Sequence, residues 1–275
     1  MNDIPIGVFD SGVGGLSVLR AIRRQYPAQS ALYFADQAHV PYGSRSLEEV
    51  RSFSQTITRF LLDQGARLIV VACNTASAAA LHPLRQEFPS VPFVGMEPAL
   101  KPAAESTQTG VVGILATPAT FQSALYASVV ERFASGVHIL QAPCPGLVRQ
   151  IEAGELSSPA TRAILEQALQ PMLTAGIDTV VMGCTHYPFV IPLIQEIAGP
   201  GVRVIDPSSA VARQVGRLLA ANDWLATGDD PAPLRFLTSG VPAEFERLLP
   251  LLLGEIGQAE PVSWHESQIA QLSLP

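Results

Sequence analysis

Eight short runs of apolar, largely β-branched residues recur along the chain, at residues 6–9, 32–35, 68–72, 93–96, 111–115, 137–140, 179–182 and 202–205. Most lack polar alternation, the mark of strands buried on both faces. Helical patterns fill the intervals, and strands alternating with helices specify an α/β fold with a mainly parallel sheet. Ser46-Leu47-Glu48-Glu49 is a capping box; Val50, Phe53, Ile57 and Phe60 follow at helical spacing and Gly65 suits the stop. Thr117-Pro118 opens a helix expected to reach about Arg132, and Ser158-Pro159 opens one ending near Gly176.

An internal repeat organises these elements. Val70-Val71-Ala72-Cys73-Asn74-Thr75-Ala76 reappears as Val180-Val181-Met182-Gly183-Cys184-Thr185-His186-Tyr187, a strand running into a cysteine and a Thr-containing turn. Residues 6–10 have a fainter echo at 111–115. The pattern reads as two pseudo-symmetric α/β domains: residues 1–97 with 208–275, and residues 98–207. Crossovers are expected near Glu97-Pro98 and Asp206-Pro207, with a functional crevice between the domains. One continuous sheet with coincidental similarity is the alternative.

Composition removes several classes of function. With 48% hydrophobic residues the chain is not disordered in the main. Its 17 basic and 24 acidic residues leave a net charge of −7, which disfavours a nucleic-acid binder. Only 15% of residues are charged, yet no stretch reaches the roughly 20 uninterrupted apolar residues of a membrane span. The best candidate, residues 68–81, is broken by Asn74 and Thr75. The start lacks the basic segment and long apolar run of a signal peptide, so a cytoplasmic location is expected. An odd count of three cysteines fits that compartment and argues against a disulfide framework.

In open α/β sheets, ligands meet the carboxyl ends of the strands, where helix N-termini offer N–H groups and a partial positive charge. Cys73 and Cys184 both fall on that edge, where a helix dipole favours the thiolate. An isolated cysteine there would ordinarily be inert; two at matched positions of a repeat point at one crevice from opposite sides. Zinc would need a Cys-x-x-Cys spacing that is missing, and Cys184-Thr185-His186 is only a two-ligand fragment. Acyl transfer with Cys184 as nucleophile and His186 as base leaves Cys73 unexplained. Asp10-Ser11-Gly12-Val13-Gly14-Gly15 looks like a phosphate loop but matches neither nucleotide template. Its groups suit an amino-acid head group, Asp10 for an ammonium or a thiol and Ser11 with the amides for a carboxylate; a plain glycine-rich turn is the alternative. Pro41-Tyr42-Gly43-Ser44 is a loop, Asp36 ends the second strand on the same edge, and Glu152 falls on a helix where a solvated acid is the default. Cys144 has no counterpart in the repeat and reads as structural.

Four segments together, Asp10 to Gly15, Pro41 to Ser44, Cys73 to Ala76 and Gly183 to Pro188, resemble the signatures of glutamate racemases in the cofactor-independent aspartate/glutamate racemase superfamily. They occur in the family's order and cover residues 6 to about 210; the remainder adds no motif. The resemblance implies that Cys73 and Cys184 are the catalytic acid/base pair, with Cys73 acting on D-glutamate and Cys184 on L-glutamate. It implies substrate contacts from Asp10, Ser11, Tyr42, Gly43, Asn74, Thr75, Thr185 and His186, with Asp10, His186 and Glu152 assisting the thiols and Asp36 also implicated. It further implies no cofactor and no metal, a small-molecule substrate, no nucleic-acid or membrane partner, a homodimer whose interface is not legible, and D-glutamate supply for peptidoglycan. Lysines are scarce, which gives a Schiff-base cofactor little to attach to. Only five residues precede the first strand, so control by a cell-wall precursor, associated with a longer N-terminal segment, is not expected. Aspartate racemase, a non-catalytic amino-acid-binding protein and a cysteine hydrolase are the competing functions.

Overall fold

The computed structural model describes residues 5–265 and 268–272. All eight expected runs are strands: β1 (Ile6–Asp10), β2 (Ala31–Ala35), β3 (Leu68–Val71), β4 (Phe93–Gly95), β5 (Val111–Ala116), β6 (His138–Pro143), β7 (Thr179–Gly183) and β8 (Arg203–Ile205). Three more follow, β9 (Leu234–Thr238), β10 (Ala259–His265) and β11 (Gln268–Gln271). They form two sheets, not one: a seven-stranded sheet of order β11-β10-β9-β2-β1-β3-β4 and a four-stranded sheet of order β6-β5-β7-β8. Every pairing is parallel except β10 with β11.

The order β2-β1-β3-β4 recurs as β6-β5-β7-β8. β1 lies between β2 and β3, with Phe9 opposite both Phe34 and Val71, as β5 lies between β6 and β7. Cys73 and Cys184 therefore follow topologically equivalent strands. The chain crosses to the second sheet between β4 and the helix Leu100–Ser106, and returns between β8 and the helix Ser208–Ala221.

Local chemistry sets the helix ends. The Ser46 hydroxyl accepts from Glu49 N at 3.2 Å while the Glu49 carboxylate accepts from Ser46 N at 3.0 Å, starting the helix Leu47–Asp63. Gly65, at φ +95°, takes the left-handed backbone that ends it. Ser158 caps the helix Pro159–Thr174. The helix expected from Thr117 to about Arg132 is instead two, Pro118–Phe121 and Ala124–Phe133. Ser123 explains the break: its hydroxyl donates to Thr120 O at 2.7 Å and accepts from Tyr126 N at 3.1 Å, closing one helix and capping the next.

An apolar cluster runs from Ile6, Val8, Tyr33 and Leu68 of the larger sheet to Val180 and Met182 of the smaller, with Leu147 and Tyr187 from the segments after β6 and β7, so the sheets share a core. Two further clusters fill the outer faces, one around Phe9, Ile57 and Leu84 and one around Val112, Tyr126 and Val181. Among the described residues no helix is long and apolar enough to cross a membrane. The returning chain docks through the helix Ser208–Ala221, where a β-carbon at Gly216 would overlap the Tyr26 hydroxyl. Replacing Gly216 by Ala should therefore destabilise the fold by about 1–2 kcal/mol, the overpacking exceeding the gain of about 1 kcal/mol in helix propensity; urea unfolding followed by circular dichroism measures it.

Candidate active site

The carboxyl ends of β1, β3 and β7 converge. Asp10 is the last residue of β1, Cys73 follows β3 as the N-cap of the helix Asn74–Glu87, and Cys184 follows β7. Both thiols line one small cavity with Ser11, Tyr42, Gly43, Asn74, Thr75, Thr185 and His186. Asp10 and Glu152 stand behind that lining. Asp10, fully buried, accepts from Gly12 N at 2.9 Å and from the Thr185 hydroxyl at 3.0 Å. Glu152, the last residue of the helix Leu147–Glu152, accepts from His186 Nε2 at 2.6 Å, Val13 N at 2.8 Å and Gln37 Nε2 at 3.1 Å.

The two thiols have different surroundings. Cys73 Sγ accepts from Ala76 N at 3.5 Å in the manner of an N-cap. Burial pushes the Cys73 thiol well up and the charge of Asp10 adds to the effect, outweighing the Ala76 and Ser11 amides. The helix N-terminus thus does not favour this thiolate overall, contrary to the sequence expectation, because desolvation is the larger effect. Cys184 leads into a 3₁₀ turn, Tyr187–Val190, before the helix Ile191–Ala198, and its sulfur lies 3.8 Å from His186 Nδ1. Burial would lower the His186 value, but hydrogen bonds to Cys184 and Glu152 and the charges of Asp10 and Glu152 raise it well above the ordinary imidazole range. Burial likewise raises Asp10, against the pull of His186 and of its hydrogen bonds to Gly12 and Thr185. Cys144 is buried and its thiol is pushed up to about 12, chiefly by desolvation.

The glycine-rich loop has a steric explanation. A β-carbon at Gly12 would overlap the Glu152 carboxylate, and one at Gly14 the His186 ring. The Tyr33 hydroxyl holds the loop by donating to Gly12 O at 2.7 Å. Asn74 is 4% exposed, yet neither its Oδ1 nor its Nδ2 has a partner. A buried amide left unpaired costs about 1–3 kcal/mol, which marks the wall it lines as a place for a polar ligand. The cavity is about 20 Å³, room for roughly one water, so a larger ligand enters only when the crevice widens.

Asp36 is also fully buried but lies off the cavity, where it accepts from the Tyr42 hydroxyl at 2.6 Å. The sequence reading missed Thr117, which follows β5 as Ser11 follows β1 and lines the same cavity. Its hydroxyl lies 3.1 Å from that of Thr75 and 3.0 Å from that of Thr120. Position in the repeat could have found it; Thr117-Pro118 instead registered only as a helix cap.

A pair of pseudo-symmetric parallel sheets with one cysteine from each at a shared cavity is the architecture of an amino-acid racemase. The Asp/Glu/Hydantoin racemase family model matches residues 6–215, and the chain belongs to that family. The glutamate racemase of Pseudomonas paraeruginosa is 55% identical over 250 residues, 91% of this chain and 94% of that protein. Among solved structures, glutamate racemase from Francisella tularensis in complex with D-glutamate shares 30% identity at a TM-score of 0.82, covering 96% of this chain and 98% of that one. Escherichia coli glutamate racemase, in complex with L-glutamate and the activator UDP-MurNAc-Ala, shares 32% at a TM-score of 0.82, covering 98% and 100%.

The His186 pairing has a pH signature. A histidine whose folded value is raised contributes stability that is complete below its unfolded value, about 6.5, and is lost as pH climbs through the folded value. Glu152→Gln should therefore cost about 1.5–3 kcal/mol near pH 6, with the gap to wild type closing in alkaline solution. Thermal unfolding of both proteins across pH reads the difference.

Proposed function

We propose that the chain interconverts L- and D-glutamate by cofactor-independent proton transfer at Cα, with Cys73 and Cys184 as opposed acid and base. The observation that carries this reading is that two thiols, from equivalent strands of two sheets, line one cavity with an unpartnered buried amide. Racemisation takes the α-proton from one face and returns a proton to the other, so one thiol must be ionised while its counterpart is protonated. The raised Cys73 thiol suits the proton donor when Cys184 abstracts from L-glutamate. His186, held protonated by Glu152, supplies a cation beside the Cys184 thiolate. Asp10 orients Thr185 and offers a carboxylate near the substrate ammonium; for D-glutamate the thiols exchange states.

The carbanion beside a carboxylate is the demanding species. Its charge is met by neutral donors, the Asn74 amide and the hydroxyls or backbone amides of Ser11, Thr75 and Thr185, preorganised and shielded from water. Tyr42 and Gly43 complete the lining. In this reading, residues 1–97 with 208–275 and residues 98–207 are the two units whose separation admits glutamate and whose closure excludes solvent. The D-glutamate formed serves peptidoglycan.

In D₂O, the protein should exchange the α-proton of L-glutamate and release D-glutamate, followed by proton NMR and chiral chromatography; an unaltered Cα–H signal overturns the reading. Cys73→Ala and Cys184→Ala should each slow interconversion by about 10²–10⁴-fold, the usual worth of a positioned acid or base. Undiminished interconversion in either variant overturns the two-thiol mechanism.

A further inference from the structure

The segment bearing Tyr42 and Gly43 is held from behind by Asp36, whose buried carboxylate meets four side-chain donors. The Tyr42 hydroxyl reaches Oδ2 at 2.6 Å and His39 Nδ1 the same oxygen at 2.9 Å; Ser239 Oγ and Trp264 Nε1 each reach Oδ1 at 2.8 Å. A carboxylate has about four acceptor positions, so this one is saturated. Two of the donors belong to the cavity segment or its approach. The other two come from the far end of the chain, Ser239 just after β9 and Trp264 in β10.

The rings are fitted together as well. His39 stacks on Phe53 with centroids 4.0 Å apart, and Trp264 meets both edge-on, at 4.9 Å from His39 and 5.5 Å from Phe53. Arg45, at the far side of the segment, donates to His39 O at 2.6 Å. The 3₁₀ turn Tyr42–Ser44 belongs to no strand; on one side it packs on Thr117 and the helix that follows, and on the other it is held by these contacts.

We propose that Trp264 is a positioning residue for the substrate cavity: its indole N–H fixes Asp36, and Asp36 fixes Tyr42 and Gly43 against the two thiols. The C-terminal strands thereby belong to the substrate-binding apparatus although they line no part of it. The consequence for turnover rests on the glutamate reading above; the consequence for the segment itself does not.

Trp264→Phe keeps the ring and removes only the N–H. Amide hydrogen exchange over residues 39–45 should accelerate about tenfold, the scale of one lost hydrogen bond to a buried charge, while β1 and β3 keep wild-type protection. In the glutamate assay KM should rise about five- to tenfold with kcat within about twofold, the pattern of lost binding without lost chemistry. Unchanged exchange overturns the proposal. Faster exchange with unchanged KM overturns its link to the substrate. A wild-type protein that leaves glutamate untouched overturns the glutamate reading alone, since the exchange measurement still decides the role of Trp264. Ser239→Ala removes a second donor from the same oxygen and carries the same expectations if the Trp264 variant does not fold.

Discussion

The contact between Glu152 and His186 holds the site in register. The carboxylate lies on a helix that follows β6 and the imidazole on the loop after β7, yet Glu152 also receives Val13 N from the loop after β1 and Gln37 from the segment after β2. One carboxylate thus ties the smaller sheet to the larger one at the edge where both cysteines lie. It also fixes which nitrogen of the imidazole faces Cys184. The orientation of the imidazole and the tie between the two sheets therefore rest on the same carboxylate.

The repeat leads one to expect two equivalent cysteines, and the geometry makes them unlike. Cys73 caps a 14-residue helix, but burial, with Asp10 adding to it, pushes its thiol well up against the pull of the Ala76 amide. Cys184 precedes a 3₁₀ turn and has an imidazole as neighbour. A reaction that runs in both directions needs opposed groups of comparable reach but not of identical resting state. The pseudo-twofold relation supplies the reach, and the side chains that break the symmetry, His186 and Asp10, supply the difference.

Much of this was legible in the sequence, for identifiable reasons. Most of strands β1 to β8 are apolar runs without polar alternation, and the cysteines follow two of them, β3 and β7. Strands β9 to β11 are not legible in the same way: Arg235 and Glu260 pair across neighbouring strands, and β11, at the sheet edge, is two apolar residues between two glutamines. Such strands carry no continuous apolar run to recognise. Glu152 looked like a solvated helix acid, because only the fold reveals that its partner is 34 residues away. The crossing helix after Thr117 was overextended because a single serine, Ser123, outweighed a helical pattern on both sides. Trp264 was invisible for a related reason, since nothing local connects it with Asp36.

The loop after β1 is thin because Gly12 and Gly14 carry no side chains, and the space left free is filled by Glu152 and His186, which follow strands of the smaller sheet. The distance between the halves is accordingly gauged by bare backbone. A side chain at either glycine would push the loop away from the Glu152 carboxylate or the His186 ring.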